Sequence, residues 1–290
     1  MLKVRQIGTK ERSIRQLSPS PKPMPATILA LIAAMLYLSA TGLQLLHISQ
    51  RRRQIDKKVF ALGLLALCAH SGLAWKNLFF DGALNLGFYK VSALIFLVIN
   101  LVCVLSLLRR PLQNLLVALF PMSAISVLVS TFSPSAVTQV GEYSGGILLH
   151  IGSSILAYAM LTLAAIQAGL VAVQDRHLKQ KQTRGLIQVL PPLQLMETML
   201  FELIWAGVIL LSVSIISGFL FVDDLFAQHL VHKTVLAIIA WALFSVLLWG
   251  RYQLGWRSQT AVRFTLSGFA LLMLAYFGSK MVLELVLQRV

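Results

Sequence analysis

Apolar positions in this chain come in unbroken blocks. "MPATILALIAAMLYLSATGLQLL" (24–46) and "FLVINLVCVLSLL" (96–108) carry no charged side chain. A helix rises about 1.5 Å per residue, so about 20 such residues cross a hydrocarbon core of about 30 Å. Runs of this length are predicted at 26–47, 59–78, 88–108, 112–132, 146–173, 200–221, 231–250 and 264–286. They lack the alternation of barrel strands, and in lipid the backbone must satisfy its own hydrogen bonds, so each run is read as a helix. The expected fold class is all-α: a polytopic membrane protein built as an eight-transmembrane-helix bundle.

Composition points the same way. With 58% hydrophobic and 12% charged residues and a mean hydropathy of +0.80, the chain has too much apolar surface for one water-soluble core. Charge then orients the spans, because Lys and Arg gather on the cytoplasmic side. The connections 51–58, 109–110, 175–185 and 251–263 carry a net +12, against −1 for 76–90, 133–145 and 222–233. The first set is expected inside and, with eight spans, both termini outside. This bias accounts for most of the overall +15. The partner implied is the lipid bilayer and no nucleic acid.

Residues 1–23 conflict with that orientation, since they hold six bases against Glu11. Their "LSPSPKP" end also lacks the apolar core of a signal peptide. Met24 opens the first span directly. Translation is expected to begin there; a genuine basic tail is the alternative. Residues 24–290 are expected to form one transmembrane domain.

Phosphate-loop, zinc-protease, nucleophile-elbow and dinucleotide motifs are all absent from the sequence, so no catalytic role is expected. Cys68 and Cys103 fall inside spans without a CxxC pair, which argues against thiol chemistry. In "LPPLQLMETMLFELIWAG" (190–207), Pro191 and Pro192 end the preceding chain. Met196, Met199, Leu200 and Leu203 share a helical face with Glu197 offset from it, an interfacial lead into the sixth span.

The histidines carry what chemistry there is. His47 and His177 sit beside basic clusters and are expected to be solvated. His70 lies near the middle of the second span, where an ionisable group is a functional candidate; a neutral imidazole bonded to a neighbouring helix is the plainer reading. His229 and His232 follow Asp223 and Asp224, a set that suits a divalent cation or an ordinary polar loop. In "LLHIGSSILAYAML" (148–161), His150 shares one helical face with Ser153, Ser154, Ala157, Tyr158 and Leu161. Small and polar residues on a membrane helix face other helices. Gly141, Gly145 and Gly146 just before it permit close approach of a neighbour or ligand. A neutral histidine there suits haem iron if its other nitrogen is held, or else a simple interhelical hydrogen bond.

"LLHIGSSILAYAMLTLAA" resembles the H-[VI]-x-x-S-x-x-x-Y-A helix of the cytochrome c assembly membrane proteins, the superfamily of CcsA, CcmC and HemX. The C-terminal third is similar to the same superfamily, with Lys233, Trp241, Arg251, Gly255, Trp256, Arg257, Gly268, Tyr276, Phe277 and Gly278 in matching places. The resemblance implies a bacterial inner-membrane, haem-handling scaffold, with haem as cofactor and other cytochrome assembly membrane proteins as partners. It implies an assembly or delivery factor without turnover of its own. The departures limit what carries over. The tryptophan-rich haem loop expected just before Lys233 is replaced by "FVDDLFAQHLVHK", Trp249 stands where the synthetase has a histidine, and another falls at about Leu287. Of the family's ligands only His150 is matched, with His70, His229 and His232 as further candidates for cofactor binding. A haem-free transporter, cation-linked accessory or regulatory protein on the same scaffold is the competing reading.

Overall fold

A computed structural model describes residues 26–50, 56–80, 83–84, 87–107, 113–133, 144–181, 190–221 and 228–278. Its helices are α1 (Ala26–Ser49), α2 (Lys57–Leu78), α3 (Phe88–Ser106), α4 (Leu116–Phe132), α5 (Gly145–Lys179), α6 (Leu193–Phe221), α7 (Gln228–Gln253) and α8 (Ser258–Met273). The fold is thus all-helical apart from a two-residue antiparallel ladder, Phe79↔Leu84 and Phe80↔Ala83, between α2 and α3. Among the described residues, seven helices are long and apolar enough to cross a membrane. The predicted eighth run corresponds to α8, which opens at Ser258, continues as one π turn through Leu274–Gly278, and leads into residues outside those described. The 1–23 segment also lies outside them.

Local chemistry sets the helix ends. Asp56 accepts the Lys58 amide at 2.7 Å to cap α2, and Ser144 accepts from Ile147 N to cap α5. α6 begins earlier than the span predicted at 200. The Pro192 carbonyl accepts from Leu195 N and Met196 N, so one helix runs from Leu193 to Phe221. The proposed interfacial lead is therefore the first two turns of that helix. Met196, Met199, Leu200 and the offset Glu197 are all buried.

Two apolar cores meet on α5. One is built from α1 to α4 around Tyr37, Ile99, Leu119 and Phe120 and reaches Ala159 and Leu163 of α5. The other joins α5 to α8 around Leu161, Leu200, Ile204 and Phe244. At 35 residues α5 is about 52 Å long, and it packs on α3 as well as on α6 and α8. Cys68 is exposed and Cys103 buried, both as free thiols. His47 is less solvated than expected, because its Nε2 lies 3.2 Å from Asp56 Oδ2 and its side chain is only 12% exposed.

Candidate functional site

α5 and α6 meet as an antiparallel pair through small residues. Gly146 faces Phe221, His150 faces Gly218, Ser154 meets Ser214, and Leu161 packs on Gly207. A Cβ at Gly207 would lie 2.6 Å from the Leu161 side chain, and one at Gly218 would lie 3.1 Å from two atoms of the His150 ring. The glycines therefore set how near the helices come. At Gly218 the space that a side chain would fill belongs to the imidazole.

The tautomer of His150 follows from its partner. Nδ1 lies 2.7 Å from the carbonyl oxygen of Ser214. A carbonyl only accepts, so Nδ1–H donates, and in the neutral ring this tautomer leaves the lone pair on Nε2. Ser154 Oγ donates to the His150 carbonyl at 2.6 Å, so the hydrogen in the 2.6 Å Ser154–Ser214 contact comes from Ser214. These bonds tie the first turns of α5 to α6 and leave one ring nitrogen able to ligate.

That histidine lines a cavity of ≈ 380 Å³ bounded by α3, α5, α6, α7 and the end of α8. α3 contributes Val91 and Ile95; α7 contributes Lys233, Thr234, Ala237 and Ile238. These two helices flank the space without packing extensively on each other. At the other end the Tyr158 hydroxyl donates to the Leu272 carbonyl at 2.8 Å, and the Tyr158 and Tyr276 rings lie 5.6 Å apart. Mostly apolar walls with a few convergent polar groups are the usual make-up of a cofactor pocket.

The other candidates lie elsewhere. His70 is wholly buried in α2, with Nδ1 3.2 Å from the Tyr37 hydroxyl and the two rings edge to face. It does not line the cavity. His232 is exposed on α7 and is not in the lining either. His229 lies in α7, but its side chain, like Asp223 and Asp224, is outside the described residues. Among those described, no group of three or more His, Cys, Asp or Glu is placed to hold a metal ion.

Sequence reasoning found His150 and its face but missed Ser214 and Gly218. The signal was available: Gly207, Ser214 and Gly218 recur at seven and four residues in an apolar helix, a small-residue stripe of the kind that marks a helix contact. It also left Lys233 and Tyr276 without a place at the site.

The profile of the cytochrome c assembly protein family matches residues 58–287, a span that includes both α5 and the cavity. The chain belongs to the cytochrome c assembly protein family. Among its relatives, the inner membrane protein YpjD of Escherichia coli K12 is 32% identical over 261 residues, 89% of this chain and 99% of its own. A 28.8 kDa protein of Azospirillum brasilense is 32% identical over 53% of this chain and 58% of its own. The protein HemX of Brevibacillus brevis is 23% identical over 46% of this chain and 49% of its own. No solved structure matches. Several positions shared with the cytochrome c assembly block prove to be packing points. The Trp241 indole donates to Ser212 Oγ at 2.8 Å, Trp256 packs on Gly250, Gly268 receives the Phe244 ring, and Gly255 adopts φ +64° between α7 and α8.

Proposed function

We propose that this multi-pass inner-membrane protein binds haem through His150 Nε2 and acts as an assembly or delivery factor for c-type cytochromes, with no turnover of its own. One observation carries the reading: the α5 imidazole has its Nδ1–H committed to the Ser214 carbonyl and lines an apolar cavity. That hydrogen bond fixes the tautomer and raises the basicity of a ligating histidine. The donor set therefore fits haem. When bound, haem supplies a redox-active iron that takes axial ligands.

The chain's own groups do the rest. Ser214 orients the ring, Gly218 leaves room for it, and the α3, α6 and α7 side chains exclude water. The cavity is assigned to the outer half of the membrane, where α5 and α7 begin and α6 ends. With α8 as an eighth span, both termini lie outside. His229, His232 or a partner assembly protein are the remaining candidates for a second axial ligand.

Detergent-purified protein, expressed with abundant haem, is expected to show a Soret band that His150→Ala abolishes or shifts while protein abundance stays nearly the same. Imidazole is expected to restore haem binding to His150→Gly. If His150 made only an interhelical hydrogen bond, His150→Ala would cost about 0.6–2 kcal/mol of bundle stability with no spectral change. A colourless wild-type preparation that also takes up no added haem would favour the haem-free reading.

A further inference from the structure

The α1–α4 half holds a file of polar side chains that the haem reading does not use. On α1, Tyr37, Thr41, Gln44 and His47 follow one another at helical spacing along the packed face, the first three buried and His47 only 12% exposed. His47 meets Asp56 at the basic end of the bundle. Tyr37 lies in midspan, where its hydroxyl is 3.2 Å from His70 Nδ1 on α2 and beside the Asn100 side chain of α3. Asn100 Nδ2 in turn donates to Ser123 Oγ of α4 at 2.5 Å. Each of the four helices thus brings a polar side chain to this level. Toward the opposite end of α2, two turns beyond His70, Asn77 Oδ1 accepts from Lys90 Nζ at 3.1 Å. The rise from His47 to Tyr37 on α1 and from His70 to Asn77 on α2 comes to about 25 Å, most of a hydrocarbon core of about 30 Å.

Packing alone does not call for these groups. Among the described residues, buried side-chain atoms without a hydrogen-bond partner include His47 Nδ1, Gln44 Oε1, Asn100 Oδ1 and His70 Nε2, all on this file. The His70 ring also lies by the Ala93 backbone, yet Nε2 completes no bond there. A buried polar atom left so is costly unless water reaches it. Ionisable groups that stand in series at membrane depth serve as proton relays.

We propose that the α1–α4 half conducts protons across the membrane along this file, with His70 as the exchanging group at its centre. His70 takes a proton on one ring nitrogen and releases one from the other, and Tyr37 gives up its hydroxyl proton as it receives another. The ring therefore returns to neutral, and one proton leaves the file for each that enters. The Gln44 and Asn100 amides donate and accept without ionising, which suits them to hold the bridging water. The inference does not depend on haem.

The test uses the full-length protein reconstituted into liposomes that enclose a pH-sensitive dye, with potassium and valinomycin setting the membrane potential. Wild type is expected to pass protons faster than protein-free liposomes do, and Cys68→Ala, on the exposed side of α2, to match it. His70→Phe and Tyr37→Phe are each expected to lower the rate to that of protein-free liposomes. Tyr37→Phe keeps the buried ring and removes only the hydroxyl, so it decides the matter if His70→Phe does not fold, as judged by size-exclusion elution. Wild-type flux no greater than that of protein-free liposomes would overturn the proposal without recourse to any variant. Full flux in either folded variant would overturn it too, as would equal passage of sodium, since a hydrogen-bonded file passes protons alone.

Discussion

At the scale of single residues, what His150 offers is decided by a carbonyl and a missing side chain. The Ser214 carbonyl holds Nδ1, and Gly218 leaves the ring its place. Gly218→Ala puts a Cβ 3.1 Å from the Nδ1 and Cε1 atoms, so the imidazole must shift by a few tenths of an ångström or lose its bond to Ser214. The expected outcome is weaker haem uptake and a displaced Soret maximum with little loss of thermal stability, and a larger effect for Gly218→Val. Gly152→Ala, where a Cβ meets nothing within 4 Å, is the control and should titrate like wild type. Equal behaviour of the Gly218 and Gly152 variants would show that the ring position is not set by this glycine. His150 was legible in the sequence because small and polar residues share its helix face. Its partner was not, because a backbone carbonyl 64 residues away leaves no mark in side-chain identity. His70 shows the converse. It is as conspicuous in the sequence as His150, yet it lies in the α1–α4 core against Tyr37, because facing a cavity depends on how the helices are arranged and not on position within a span.

At the scale of elements, the start of α8 is held by acids that belong to other helices. Glu197 of α6 accepts from Ser258 N at 3.0 Å and from Arg257 Nε at 3.1 Å; Asp175 of α5 accepts from Gln259 Nε2 at 2.7 Å and Lys179 Nζ at 2.8 Å. Glu197 thus caps a helix it is not part of, at the positive end of that helix's dipole. The Arg257 side chain is 56% exposed and the Glu197 side chain 3%, so solvent screens the pair from the arginine side while the buried carboxylate depends on its hydrogen bonds. The cap is worth about 1–2 kcal/mol. Glu197→Ala should therefore destabilise more than Glu197→Gln, which keeps an acceptor for Ser258 N, as read by thermal unfolding in detergent. Equal losses would make the charge, and not the cap, the larger contribution. Sequence periodicity placed Glu197 beside an apolar face and took the segment for an interfacial one. A buried carboxylate there needs α8 to arrive from 60 residues further on, which no local pattern records. The spans themselves were legible because a run of about 20 uncharged residues has few alternatives in lipid. Their ends shifted where Pro192 or a cap, and not hydropathy, set the first turn.

At the scale of the whole molecule, two helical halves share α5, and the cavity sits where α3 of one half faces α7 of the other. The reach of α8 along the bundle follows from its contacts. Its first residues meet Asp175 and Glu197, and Leu272 meets Tyr158. On α5 the step from Asp175 to Tyr158 is 17 residues, about 25 Å of helix. α8 therefore runs most of a hydrocarbon thickness from the basic end of the bundle to the inner end of the cavity. The +12 against −1 division of the connecting segments predicts that the Asp175 and Glu197 end faces the cytoplasm. Reporter domains fused after Val290 or inserted at 133–144 should then be active only outside, and those inserted at 51–58 or 254–257 only inside. A chain begun at Met24 should give the same pattern and the same haem content, since the six bases of residues 1–23 oppose the orientation that the rest of the chain dictates. An outward reporter at 133–144 together with a cytoplasmic one after Val290 would mean that α8 turns back without crossing. The molecule would then have seven spans.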